Sequence, residues 1–262
     1  MKRIIKICLI TVVWIGIWYI SVLLYSSING MSLAYNPLFP YPHDVIKSLF
    51  VLFGNGTYYL ATITTLLRIL LSIIIATVIG VLCAIACAKI KVFHAFIQPL
   101  LSTIRSVPVT VFVFILYLLI FDFTSMVITI LMVFPIVFSN VYEGIKNIDK
   151  DLLEVCHTYK IPFKKRIKAL YLPTVMPYFV SAITSSIGLA WKAGVAAEAL
   201  CPPDKSMGQY ISQAKQNFDN EELFAWAVTL VIINIIFEVA FKKIINVAFK
   251  KWMTNEVKNG NN

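Results

Sequence analysis

Acidic residues are scarce in this sequence: 13 Asp and Glu occur among 262 residues, and charge of either sign makes up only 14% of the chain, against about 25% in an ordinary soluble domain. A chain so poor in charge cannot cover its surface with solvated side chains, which argues against a water-soluble globule. Histidine is rarer still. His43, His94 and His157 are scattered and have no spacing suited to a metal site, so no metal is expected. Cys8, Cys83, Cys87, Cys156 and Cys201 contain no CxxC pair and fall mostly within or beside apolar runs, which reads as packing by reduced thiols. The ten glycines are dispersed and nothing matches G-x-x-x-x-G-K-[ST], so the chain has no loop to cradle nucleotide phosphates. No Ser, Thr or Cys is spaced with a His or carboxylate as a nucleophile would need, so no catalytic residue and no cofactor is assigned.

What fills the space is hydrocarbon. Hydrophobic residues are 59% of the chain, and they come in runs long enough to cross the ~30 Å apolar layer of a bilayer. The runs are Ile7 to Tyr25, Leu66 to Ala88, Val107 to Phe121 with a helical lead-in from Phe93, Met126 to Tyr142, about Leu170 to Leu200, and Leu223 to Phe241. They predict an all-α polytopic bundle of six transmembrane helices. The first run carries two Trp, a Tyr and many branched residues, unlike a cleavable leader, and reads as an uncleaved span. Ser26 to Thr57 is turn-rich, with Asn36-Pro37, Phe39-Pro40 and Tyr41-Pro42 blocking regular helix, and reads as an external loop with a surface helix around Val45 to Phe53. Prolines 99, 108, 135, 173 and 177 predict kinks rather than breaks, because neighbouring helices can satisfy the freed backbone groups.

The basic residues orient the bundle. With the N-terminus inside, the inside segments hold seventeen Lys and Arg and the outside segments hold only Lys47, Lys205 and Lys215, in keeping with the positive-inside bias. Both termini are expected in the cytoplasm of a bacterial cell. The formal net charge of +10 is then a topology signal and no footprint of nucleic acid.

The longest inside connection, between the fourth and fifth spans, is patterned. Leu152, Leu153, Cys156 and Tyr159 recur at helical spacing, with Asp149, Asp151 and Glu154 near the start, where acidic groups suit the helix dipole. Ile161-Pro162 ends this short helix. Lys164, Lys165, Arg166 and Lys168 then sit at headgroup level before the chain re-enters the bilayer at Leu170. The prediction is a stub helix projecting into the cytoplasm.

This connection resembles the EAA motif of ABC importer permeases, E-A-A, three residues, G, nine residues, I, one residue, L-P. Glu154, Leu170, Leu172 and Pro173 fall in that register without a gap. Val155 and Cys156 stand for the two alanines, and Lys160 stands for the glycine, so Lys160 must take a positive φ or leave Pro162 to set a different turn. The segments TTLLRILLSIIIATVIG, IQPLLSTIRSVPVTVFVFILYLLIF and SSIGLAWKAGVAAEAL also resemble the nitrate, sulfonate and taurine branch of that family. The resemblance implies that ATP is bound by a separate cytoplasmic ATPase dimer and that Leu152, Leu153, Glu154, Cys156, His157, Tyr159 and Lys160, with Leu170, Leu172 and Pro173, form the coupling element that seats on it. It further implies an extracellular or lipid-anchored solute-binding protein and a second permease copy, giving a homodimer. The expected division is an N-terminal helix and external loop at 1–56, a permease core at 57–250 and a cytoplasmic tail at 251–262.

Charges within the spans must face protein, water or each other. Arg68, Lys192 and Glu198 are the candidate pathway residues, in keeping with a small organic or inorganic anion as solute. The competing expectation is that Arg68 snorkels outward and Lys192 pairs with a neighbouring span. Lys192 and Glu198, six residues apart, point to nearly opposite sides of an unbroken helix. An ion-coupled secondary transporter is the alternative reading, thinly supported by Glu198 and Glu238.

Overall fold

The computed structural model describes the backbone of residues 2–30 and 38–260 and, among their side chains, Lys6 and those between Leu9 and Lys250. The Asn36-Pro37 turn and the last two residues lie outside the described residues. Among the described residues the regular elements are all helices, with no strand. The helices are α1 (Lys2–Ile28), α2 (Pro42–Phe53), α3 (Gly56–Lys89), α4 (Lys91–Ser106), α5 (Val109–Ile120), α6 (Thr124–Lys146), α7 (Lys150–Thr158), α8 (Phe163–Arg166), α9 (Leu172–Leu200), α10 (Met207–Gln216) and α11 (Asn220–Gly260). The predicted surface helix is α2. Over residues 251–260, expected as a cytoplasmic tail, the helix α11 continues.

Among the described residues, five stretches are long and apolar enough to cross a membrane: Leu9–Ile28, Gly56–Lys89, Val109–Lys146, Phe163–Leu200 and Asn220–Lys250. The sequence pattern predicts six, and the difference lies in 109–146, which is not one rod. Phe121 takes φ 37 and ψ −92, and a 3₁₀ turn at Phe121–Phe123 folds α5 back beside α6. Val113 of α5 is buried in one cluster with Ile128 of α6 and with Ala193 and Ala197 of α9. At 12 residues α5 is only ~18 Å long, short of the apolar layer. α4 completes the crossing along the other half of α6, where His94 stacks on Tyr142 at 4.7 Å. The third predicted span is therefore broken at Val107, which Pro108 holds extended at φ −83 and ψ 131.

The core of the bundle is α3, α6 and α9. With lipid outside, helices gain nothing from burying Leu against Leu, so they associate where small residues let backbones approach. The buried face of α3 runs Ala61, Thr65, Ile69, Ile73, Ala76, Gly80, Ala84 and Cys87. A Cβ on Gly194 of α9 would lie 2.8 Å from Thr129 Oγ1 of α6 and 3.0 Å from Ile69 Cγ1 of α3, so the three helices close on a point where no side chain fits.

Proline shapes the start of α9. Pro173 has no N–H, and its ring would strike the carbonyl one turn back. The backbone widens before it into a π turn at Ile167–Tyr171, with Leu172 N–H donating to Ile167 O. Lys89, Lys146 and residues 164–168 all fall at this end of the bundle, called the basic end below. At the far end, Trp226 is stacked between Tyr58 (5.3 Å) and Tyr210 (5.5 Å). α1 joins the bundle near that end, where Trp18 Nε1 donates to Pro40 O at 3.2 Å. Its Leu9, Val12, Val13 and Trp14 remain exposed, as lipid contact requires.

Candidate functional site: a projecting helix and a buried polar node

α7 forms where the sequence pattern placed it. Asp149 Oδ1 accepts the N–H groups of Asp151 (2.8 Å) and Leu152 (3.4 Å), closing the first turn. The helix ends in a Schellman pattern, with Ile161 N–H donating to Cys156 O and Lys160 N–H to His157 O, both at 3.0 Å. That pattern needs a left-handed residue, and Lys160 supplies it at φ 47. Of the two solutions open for the missing glycine, the chain uses the positive φ, which costs a side-chain-bearing residue about 1 kcal/mol.

No α7 residue is buried. Leu152, Val155 and Tyr159, one face at spacings of three and four, are 49%, 48% and 76% exposed. Leu153 and Cys156 are half-buried, while Glu154, His157 and Lys160 are exposed. The apolar face turned outward thus includes Val155, for which the sequence pattern had assigned no contact, and Leu153 and Cys156 lean toward the protein. Behind α7, Leu170 is buried at 8%, Leu172 is 39% exposed and Pro173 is exposed.

The intramembrane charges resolve into two places. Glu198 of α9 is 0% exposed. Its Oε2 accepts the Thr65 hydroxyl of α3 at 2.7 Å, and Arg68 Nη1, one turn along α3, stands 3.6 Å from Oε1. Thr65 Oγ1 also accepts Met207 N–H at 3.0 Å, and Arg68 Nη2 donates to Asp204 O at 3.0 Å. Thr64, beside them, bonds the carbonyl of Lys205. The carboxylate therefore sits at the N-terminus of α10, where the Gly208 N–H and the helix dipole favour an anion. Gly208 makes this possible: a Cβ there would lie 2.2 Å from the Glu198 carbonyl carbon. Arg68 folds inward on this node and does not snorkel.

Lys192 lies apart from the node. It is exposed on α9 in a stripe with Ser181, Ser185, Leu189 and Ala196, and it makes no ion pair with a described residue. The opposite facing of Lys192 and Glu198 follows from their spacing, and the expected partner of Lys192 on a neighbouring span is absent among the described residues. Glu238 pairs with Lys242 at 2.5 Å on its own helix, α11. No cluster of three or more His, Cys, Asp or Glu that could hold a metal occurs among the described residues.

Residues 76–250 match the family described as "Binding-protein-dependent transport system inner membrane component". The chain belongs to this family. It is thus a multi-pass inner-membrane component, and its all-α membrane fold agrees. The putative aliphatic sulfonates transport permease protein SsuC of Bacillus subtilis is 25% identical over 159 residues, 60% of this chain and 57% of that protein. The bicarbonate transport system permease protein CmpB of Synechocystis is 33% identical over 100 residues, 38% of this chain and 35% of CmpB. The nitrate import permease protein NrtB of Synechococcus elongatus is 31% identical over 122 residues, 45% of this chain and 43% of NrtB. The chain thus spans between a third and three fifths of these curated relatives. A solved structure, of a bacterial alginate ABC transporter in complex with alginate pentasaccharide-bound periplasmic protein, superposes with a TM-score of 0.59 at 14% identity, covering 94% of this chain and 93% of that one. That likeness establishes the fold.

Two features of this inner-membrane component escaped the sequence pattern. α10 lies in what read as a plain outside segment, although Ser206 followed by Gln209 is a capping-box spacing. Ser206 Oγ indeed accepts Gln209 N–H at 3.0 Å. Arg105, assigned no role, donates from Nη2 to Pro135 O at 3.0 Å and to Ser139 Oγ at 2.5 Å, tying α4 to α6. No sequence signal marks that bond.

Proposed function

We propose that the chain is the membrane-spanning permease of an ATP-driven importer, in which two copies form the pathway for a small anion. The observation that carries this reading is α7, a capped helix whose apolar face is presented to solvent at the basic end. An exposed apolar face on a stub braced by two long helices fits insertion into a partner, and a cytoplasmic ATPase dimer is the partner whose closure would move α6 and α9 together. ATP stays on that partner, and this chain contributes no catalytic group. A solute-binding protein, extracellular or lipid-anchored, delivers the solute to the far end, and both termini lie in the cytoplasm. The core for this work is 57–250, preceded by the helix and external loop of 1–56.

The named relatives handle sulfonates, bicarbonate and nitrate, which supports an anionic solute. Lys192 is the pathway residue of choice. A lysine facing lipid at a helix centre costs ~2.5–3.5 kcal/mol or more, so its stripe is better matched to the second copy and the water between the copies. Arg68 and Glu198 frame the entrance by holding α10. The ion-coupled alternative gains no support from these relatives.

Glu154→Arg tests the reading. The variant should insert in the membrane normally yet lose ATP-driven uptake and co-purification of the ATPase. Normal uptake with the ATPase still bound would end the proposal.

A further inference from the structure

Three helices of the core diverge at the basic end and leave a groove of about 510 Å³. Val81 and Ile85 of α3, Val141 and Ile145 of α6, and Phe163 and Phe179 of the α8–α9 segment line it. Lys89 is the basic residue of the lining. The groove runs along the helices: from Val81 to Lys89 is eight residues, ~12 Å of rise, so it opens at headgroup level and reaches inward among apolar side chains. Arg166, which lines a second hollow with Cys156, His157 and Lys160, lies over the Phe163 ring of the groove at 5.9 Å. The Arg166 Nε is buried and has no hydrogen-bond partner.

We infer that this groove holds one anionic phospholipid of the leaflet at the basic end, its acyl chain against Val81, Val141 and Phe179 and its phosphate at Lys89 and Arg166. A slot that is apolar along its length and cationic only at one end matches a molecule built the same way. The Arg166 guanidinium, against the Phe163 ring, would add a second positive charge beside that of Lys89. The lipid would pack beside Leu172 and Tyr171, which also line the groove, and so brace the start of α9 behind α7. The choice of the cytoplasmic leaflet rests on the orientation proposed above; the groove itself does not.

The test is photo-crosslinking of the full chain in native membranes with p-benzoylphenylalanine at position 179, and separately at position 163, whose exposed side chain tolerates replacement. Adducts are read by mass. The expected product carries one phospholipid, enriched in anionic over zwitterionic species relative to the bulk membrane. Lys89→Gln and Arg166→Gln should each lower that enrichment about fivefold, the equivalent of ~1 kcal/mol per surface charge. Crosslinking to a second copy or to the ATPase, no adduct at either position, or lipid adducts without headgroup preference would each overturn the inference. Labelling of a Lys150→Cys variant by an impermeant reagent added outside would instead overturn the orientation and leave the groove untouched.

Discussion

Removing Arg68 should destabilise the bundle far more than removing Arg68 and the charge of Glu198 together. In the native chain Glu198 is fully enclosed, with the Thr65 hydroxyl on one oxygen and Arg68 Nη1 3.6 Å from the other. Oε1 has no hydrogen-bond donor of its own, so the attraction to Arg68 is its main compensation. Deleting one partner of a buried pair costs ~3–5 kcal/mol, whereas replacing both can be nearly neutral. The Arg68 side chain keeps 25% exposure, which places Arg68→Met near the low end, about 3 kcal/mol. At 2–4 °C per kcal/mol for chains of comparable size, the midpoint of thermal unfolding falls by roughly 6–12 °C. Glu198→Gln strands a guanidinium that still reaches Asp204 O and solvent, at a cost of about 1 kcal/mol. The double variant strands neither charge and should lose only about 1–2 kcal/mol, leaving a coupling of at least ~2 kcal/mol in the double-mutant cycle. The assay is thermal unfolding of the purified chain in one detergent, followed by Trp fluorescence. Trp226 is a local reporter, since it stacks on Tyr210 of α10. If the two single losses add to the double within ~0.5 kcal/mol, the node is no coupled pair and the reasoning fails.

Gly208→Ala places a Cβ 2.2 Å from backbone of α9, and overpacking against backbone costs ~1–3 kcal/mol. α10 should shift off Glu198 and loosen the Tyr210–Trp226 stack, seen as a changed emission spectrum; an unchanged spectrum and midpoint would refute the close approach. Lys160→Gly removes a left-handed lysine at φ 47 and should slow amide exchange in α7, by about 1 kcal/mol of local stability. Faster exchange would mean that the Lys160 side chain does more than occupy the turn.

Most of the fold is legible in the sequence because the bilayer imposes a single length and a single solvent on every span. Runs of ~20 apolar residues had to become helices. Their basic flanks set an expected side, and the Asp149 start and Ile161-Pro162 stop bound α7 almost to the residue. Even the left-handed Lys160 was one of two solutions that the residue pattern allowed. Those are local properties, set by neighbours within a turn or two.

What only the tertiary structure decided are the pairings between distant residues. The fold-back within 109–146 is already legible as two separate apolar runs, whereas the turn that makes it, with Phe121 at φ 37, is not encoded in bulk hydropathy. Arg68, Glu198 and Lys192 look alike as isolated charges in apolar runs, yet two of them are brought together across 130 positions and one is left facing outward. Thr65 and Arg68 of α3 meet the carboxylate, the Gly208 N–H of α10 adds to them, and the same glycine allows the approach. A buried charge is placed by whatever can repay its lost water, and that partner is found in space, not in spacing.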